Sequence, residues 1–360
     1  MKVLILTAIY PTPQNPAFGS YVRTQAESIE RAGVTIETMV LKDRNRKLIY
    51  PKAIFQLRKR LADGSIDLVH AHYGLVGMVA RTQSRVPVVV TYHGSDILGW
   101  INKKGQRELL GRLVAGAGRI VARRVDAAIV QSDEMASKLK ASNVYVIPHE
   151  VDFKVFQPTE RDQARSELGL SLQKKYLLFA ANPKVGVKRF PLAKAVAERL
   201  SHEDPSVELL VVCKDTQQRL ALYMSACDAL IFPSYQEGSP NIVKQAMACN
   251  LPLVSTDVGD VRQLIGSTTD CYVCNPSVPE FAARISNILV HRRRTAGRKH
   301  IGYLESSAVA QKVIDVYDHV LRKREQNALA KASRFVDFLN LSPRRRDSEA
   351  SQAVKVENES

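Results

Sequence analysis

Four segments combine residue types and spacings that could do chemistry. In TYHGSD (91–96), His93 precedes Gly94 at the end of a valine-rich run. An imidazole there could donate to a hydroxyl or a leaving-group oxygen, or move a proton. In SYQEGSPNIVKQAMAC (234–249), the carboxylate of Glu237 precedes a Gly238-Ser239-Pro240-Asn241 turn and a helix predicted to begin near Asn241. The free N–H groups of such a turn and helix start can hold hydroxyls or phosphate, and the carboxylate accepts hydrogen bonds from hydroxyls. Gln245 follows Asn241 by four residues, so both can face one ligand. In ANPKVGVKRF (181–190), Lys184, Lys188 and Arg189 sit in a strand-to-helix loop, where a guanidinium fork and a point-charge ammonium suit a pyrophosphate. In YPTPQNPAFGSYV (10–22), the single Gly19 before a helix permits close backbone approach to an anion.

Each feature has a structural alternative. Gly19 can be a turn residue and Ser20 an N-cap, His93 a satisfied strand-end histidine, Asp96 a helix cap, and the basic loop a solvated surface. Met247 and Ala248 read as core. His70 and His72 lie two apart on one face of a strand, but no third ligand is spaced to match. Cys271-x-x-Cys274 lacks the second half of a zinc site, so no metal is expected.

The elements that must position these residues alternate short apolar β-branched runs with helical stretches, the pattern of parallel βαβ units. Strands are predicted at 2–8, 34–40, 67–74, 86–94, 126–132 and 144–150, and again at 175–182, 207–213, 228–234, 251–257 and 271–276. The segment 20–33 reads as a helix ending on Gly33. After a linker near Gln157-Pro158 the second series begins. The expected organisation is a doubly wound α/β domain over 1–160, a second doubly wound domain over 161–305, a helix over 306–340 and a disordered tail over 341–360.

The chain has 360 residues, and Lys+Arg 52 against Asp+Glu 36 leaves a net charge of +16. Residues 1–150 hold 22 basic and 12 acidic side chains. An anionic partner is implied, and nucleic acid, a membrane surface or a phosphorylated substrate would each fit. Nothing resembles a nucleic-acid reading helix or stacking sheet. No apolar run reaches the roughly 18–20 residues that span a bilayer. The start reads as a strand and not a signal peptide. Five cysteines, an odd number confined to the second half, fit a reducing cytoplasm. The first loop lacks the G-x-G-x-x-G of a dinucleotide-binding dehydrogenase.

In this order the segments resemble glycosyltransferase family 4, retaining enzymes of GT-B fold that use a nucleotide-sugar donor. The strongest likeness is 226–262, which is similar to the family's E-x7-E region. PAFGSYV, DLVHAHYG, TYHGSD and VIPHEVDFKVF support it, and the similarity extends over roughly residues 1–320. The resemblance implies two Rossmann-like domains facing a cleft, with a C-terminal helix crossing back to the first. It implies catalytic roles for His93 and Glu237 beside the transferred sugar. It assigns donor binding to Gly19, Lys188, Arg189, Gly238, Ser239, Pro240, Asn241 and Gln245, and requires no metal or cofactor. The implied acceptor is a polysaccharide or lipid-linked oligosaccharide at the inner membrane face, with the basic first domain and Arg58-Lys59-Arg60, Lys103-Lys104 and Arg119–Arg124 facing anionic lipid.

The chain departs from the family pattern on the nucleotide side. Gln245 replaces the second Glu, which in the family holds the ribose hydroxyls; Ala181-Asn182 replaces Gly-Arg; His149-Glu150 replaces Asn-Gly. Only nine residues (214–222) lie between the strand ending at Cys213 and YMSACDALIF, where the family usually has a longer helix–strand insertion. A catalytically weakened or inactive relative that scaffolds a partner is therefore the alternative, and an epimerase of the same fold a third.

Overall fold

All eleven predicted strands form in the computed structural model, which describes residues 1–42, 48–102 and 105–340, with side chains through 334. The first six are β1 (Lys2–Thr7), β2 (Thr35–Val40), β3 (Leu68–His72), β4 (Val88–Thr91), β5 (Ala127–Val130) and β6 (Val144–Val146), in the order β2-β1-β3-β4-β5-β6. The other five are β7 (Lys175–Phe179), β8 (Val207–Val211), β9 (Ala229–Phe232), β10 (Leu253–Ser255) and β11 (Cys271–Val273), in the order β11-β10-β9-β7-β8. Every pairing is parallel, with Leu4 opposite Val69 in the first sheet and Leu178 opposite Leu230 in the second. Helices cover both faces of parallel sheets, so their strands bury nearly every side chain. Val3 to Leu6 and Ala127 to Val130 are fully buried. Most predicted strands run one to three residues too far, because their polar or glycine ends turn into loops. The segment 86–94, for example, leaves the sheet after Thr91, which frees Tyr92, His93 and Gly94.

The strand orders position the site. Each sheet has one point where successive crossovers leave in opposite directions: between β1 and β3, and between β7 and β9. Ligands of open α/β sheets bind outside the strand ends at such points. The loops there are 8–19 and the turn at Tyr73 in the first sheet, and 180–189 and 233–240 in the second.

A buried ionic knot anchors the second sheet. Asp228 accepts from Arg165 at 2.9 Å and from the Tyr176 N–H at 2.8 Å, and Arg161 and Arg292 approach within 3.3 and 3.1 Å. Arg165 is fully buried and also donates to the carbonyls of Ala226, Leu172 and Lys174 at 3.0 Å.

Met1–Val316 forms one compact unit that holds both sheets. Within it, Val151 bridges Glu305 and the Ser306 hydroxyl donates to the Val151 carbonyl at 3.2 Å. The last helix, Ser306–Asn340, fills the span predicted for it. The tail predicted at 341–360 lies outside the described residues. Among those residues no helix is long and apolar enough to cross a membrane.

Candidate functional site

The two loops at the second sheet's switch point meet through Lys188 and Glu237, whose Nζ and Oε1 are 2.5 Å apart. The backbone reinforces this, because the Tyr235 N–H donates to the Val187 carbonyl at 2.9 Å. The Asn182 side chain accepts from the Lys184 N–H at 3.0 Å, so it shapes the loop. Arg189 takes a left-handed conformation (φ 50°), stacks 4.2 Å over the Tyr235 ring and donates to the Pro276 carbonyl. It is therefore turned away from Glu237, unlike Lys188.

Facing them from the first sheet, His93 and Gly94 leave β4. Gly94 has φ +105°, and a Cβ there would stand 3.2 Å from the Gly238 nitrogen. A Cβ on Gly238 would stand 2.9 Å from Met135 Sδ and 3.1 Å from Gly94 Cα. Two glycines thus let the domains touch backbone to backbone, and Gln236 donates across the cleft to the Gly99 carbonyl at 3.1 Å. Beside this contact lies a cavity of about 360 Å³, lined by His93, Gly94, Trp100, Val187, Glu237 and Gly238 among others. That volume suits a small polar ligand.

His93 belongs to a stack that the sequence did not show. His72 and His149 lie at ring-centroid distances of 5.3 and 4.9 Å on either side of it. Its Nε2 contacts His72 Nδ1 at 3.2 Å and its Nδ1 contacts His149 Nε2 at 2.9 Å. Tyr21 and Tyr73, joined through their hydroxyls at 2.5 Å, flank the ring. Burial lowers the pKa of His93, His149 and His70 well below the ordinary value, and that of His72 to about 3. His93 is accordingly neutral at pH 7. Both its nitrogens are engaged, so it reaches a ligand hydroxyl only by exchanging a histidine partner. His70 Nε2 contacts the Thr91 hydroxyl at 2.7 Å and His72 Nδ1 contacts His93, and no metal-ligand group of three or more His, Cys, Asp or Glu occurs among the described residues. The cysteines are free, and Cys271 and Cys274 are buried.

The helix Asn241–Ala248 begins where predicted, with Pro240 in the cap position. The N–H groups of Gly238, Ser239, Asn241 and Ile242 find no acceptor among the described residues. The Ser239 hydroxyl is committed to Asp260 at 2.6 Å. Lys244, fully buried in this helix, lies 3.3 Å from the His149 carbonyl and from Asn241 Oδ1. Burial lowers its pKa to about 8, against the opposing pull of Asp260 and Glu150. Asn241 and Gln245 do face one space, a second cavity of about 210 Å³ that Ser20, Tyr21, Glu150, Asp215 and Phe156 also line. Burial raises the pKa of Glu150 to about 7.

Gly19 is buried, with φ +70°, and a Cβ there would come within 2.9 Å of the Ile9 and Tyr10 backbone. The tight turn alone accounts for glycine at this position. Gly19 is also the N-cap of the helix Ser20–Arg31, so Ser20 is its first residue and not its cap. Asp96 lies inside the helix Ser95–Leu98 and accepts from the N–H groups of His93 (3.0 Å) and Gly74 (3.1 Å). It ties the β3 and β4 loops together.

Two family models match the chain: Glycosyltransferase Family 4 over residues 6–155 and Glycosyl transferases group 1 over residues 180–291. A Bacillus subtilis (strain 168) glycosyltransferase named for teichuronic acid biosynthesis, TuaC, is 24% identical over 332 residues, covering 74% of this chain and 83% of that one. The D-inositol 3-phosphate glycosyltransferase of Arthrobacter sp. (strain FB24) is 27% identical over 255 residues, 59% of each chain. The chain thus spans about three-fifths of that relative's length. Among solved structures, sucrose-phosphate synthase from Thermosynechococcus elongatus superimposes with a TM-score of 0.73 at 21% identity, covering 90% of this chain and 100% of that one. Anabaena HepE in complex with UDP and glucose gives 0.65 at 16% identity, covering 89% and 100%. Two parallel Rossmann-like sheets facing a cleft, with the Family 4 model matched over the first half and the group 1 model over the second, mean that the chain is a glycosyltransferase-family protein of GT-B fold.

Proposed function

We propose that the chain transfers a sugar from a nucleotide-sugar donor to a glycan or lipid-linked acceptor, with retention at the anomeric carbon. The observation that carries this is the pairing of Lys188 with Glu237, from the two switch-point loops, where Glu237 shares one cavity with His93 and Gly94. The donor diphosphate would lie against the Lys188 ammonium and the unpaired N–H groups of Gly238, Ser239, Asn241 and Ile242, which supply positive potential as the diphosphate leaves. The transferred sugar would occupy the larger cavity, with Glu237 accepting from its hydroxyls. His93, kept neutral by burial, would bond a hydroxyl by exchanging one histidine partner. HepE, a structural neighbour, is described with UDP and glucose, which supports a nucleotide-sugar donor.

The acceptor side supports an anionic membrane surface. Leu109, Leu110 and Leu113, at 71%, 60% and 63% exposure, protrude from the helix Leu109–Ala122. Exposed Arg107 and Arg112 interleave with them, and the helix backbone packs on Trp100, a wall of the larger cavity. Apolar side chains set among cations suit an anionic lipid interface. The other basic clusters contribute less: Arg60 is paired with Glu37 and Asp63, Arg58 donates to the Thr82 carbonyl, and Arg119 to the Ile97 carbonyl. Lys103 and Lys104 lie outside the described residues. A lipid-linked acceptor would then enter beside Trp100.

A panel of UDP-, GDP- and ADP-sugars tests the reading, with transfer measured on a membrane extract as acceptor source. Acceptor-dependent transfer that Glu237→Ala abolishes is expected, and undiminished transfer by that variant would end the assignment. Binding without turnover across the panel would favour the scaffold alternative; donor turnover without acceptor would favour the epimerase. Sedimentation with phosphatidylglycerol vesicles should fall in an L109D/L113D variant, and equal sedimentation would remove the membrane from the account.

A further inference from the structure

The turn before the helix Asn241–Ala248 keeps its N–H groups open, although two of its own side chains are suited to close them. Ser and Asn near a helix start ordinarily accept from orphan backbone N–H groups. Neither Ser239 nor Asn241 does so here, and the helix has no side-chain cap. The Ser239 hydroxyl donates instead to Asp260 Oδ2 at 2.6 Å, and Asn241 Oδ1 accepts from Lys244 Nζ at 3.3 Å. Lys244 is fully buried and Asp260 is 6% exposed, and the charge of each favours the ionised form of the other. Glu150 also acts on Lys244, but burial pushes its carboxyl up to about 7, which leaves Asp260 as the chief counter-charge. Gly259 lets the Asp260 loop press on the turn: it has φ +56°, and a Cβ there would stand 2.7 Å from the Gly238 carbonyl oxygen.

We infer that Lys244 and Asp260 are positioning residues for the donor diphosphate, a buried pair of opposite charge that draws Asn241 and Ser239 off the turn and keeps its N–H groups free for phosphate oxygens. This rests on the nucleotide-sugar reading above, and neither side chain touches the ligand. Asp260 alone would set a carboxylate behind the phosphates, where a poorly solvated charge is felt strongly. Lys244 alone would be a buried ammonium whose contacts are the His149 carbonyl and Asn241 Oδ1, both at 3.3 Å. Together the two charges offset each other, and the turn presents the positive potential of its own N–H groups. One cluster thus accounts for a fully buried lysine in a helix whose start would meet an anion, and for two polar side chains turned away from that start.

The test is calorimetric titration of the full chain with UDP, GDP and ADP, then of variants with whichever binds most tightly, each beside a thermal melt. Lys244→Met frees Asn241 and leaves Asp260 unbalanced, so affinity should fall by about tenfold or more. Adding Asp260→Asn removes the carboxylate and keeps an acceptor for Ser239, and adding Asn241→Ala removes the side chain that closes the turn. Each double variant should recover about threefold or more of the loss. A purely structural loss would instead be deepened by a second buried substitution. A K244M chain that binds within about twofold of wild type, or a loss that neither second substitution relieves, overturns the inference and leaves the nucleotide-sugar reading standing. Absence of binding by the wild-type chain to all three diphosphates overturns that reading, and the inference with it. Should K244M fail to fold, the two Asp260 variants decide. Asp260→Ala releases Ser239 and should bind the diphosphate about fivefold more weakly than Asp260→Asn, whereas equal affinities overturn the inference.

Discussion

Removing Lys188 separates what the loop does for the fold from what it does for the ligand. The ammonium is 2.5 Å from Glu237, and the two side chains are 28% and 16% exposed. A pair this open to water contributes about 1 kcal/mol or less to stability. For a chain of 360 residues that corresponds to a melting shift of about 1 °C. Against a nucleoside diphosphate the same ammonium makes a charge-assisted hydrogen bond worth about 1.5–3 kcal/mol, or roughly 10–150-fold in affinity. Lys188→Ala also leaves the Glu237 carboxylate facing the incoming diphosphate without its counter-charge, so the upper half of that range is expected. Adding Glu237→Gln should recover part of the loss, because it removes the repulsion. Calorimetric titration with the nucleoside diphosphate, run beside a thermal melt, reads both quantities. An affinity within twofold of wild type, or the whole loss falling on Arg189→Ala instead, would refute the reasoning, because Arg189 is stacked on Tyr235 away from the cavity.

Three further outcomes follow from the geometry. Gly94→Ala places a Cβ 3.2 Å from the Gly238 nitrogen at a φ of +105°, so transfer should fall by tenfold or more through an opened cleft; a kinetic assay showing wild-type turnover would contradict that contact. Asp228→Ala leaves Arg165 buried without its carboxylate, and denaturant unfolding should show a loss of about 3–5 kcal/mol. On acidification from pH 6.5 to 5 the unfolded chain protonates the four histidines whose folded pKa values are lowered, so their contribution to stability is lost as pH falls. Glu150, raised to about 7, and Asp96, raised to about 6, act in the opposite sense because the folded chain keeps their protons. Asp260, raised by burial, acts with Glu150 and Asp96, so four groups against three leave a net fall in stability with acidification, and a denaturant midpoint that does not move over this range would refute the neutral stack.

The strands were legible because both faces of a parallel sheet are covered, which makes each strand a continuous apolar run; Val88 to Thr91 is the plainest case. Lys188 and Glu237 could be singled out because their loops follow strands, where ligands of open α/β sheets bind, although charge on such a loop is equally a solvated surface. What the sequence hid depends on tertiary proximity. His72, His93 and His149 come from the ends of β3, β4 and β6, and nothing in their spacing shows that they stack. Nothing in the spacing of Arg165 and Asp228 shows that the fold brings three cations, Arg161, Arg165 and Arg292, around one carboxylate. Lys244 looks like the polar face of its helix, yet it is fully buried under the 149–150 backbone. Glu150 registered in the sequence only as a departure from the family pattern.

A structure of the chain with a bound nucleoside diphosphate tests the central claim most directly. The account predicts the diphosphate within hydrogen-bond reach of Lys188 Nζ and the N–H groups of 238–242, with the nucleoside in the cavity walled by Glu150 and Asn241. A diphosphate bound elsewhere, with Lys188 still paired to Glu237, would contradict it.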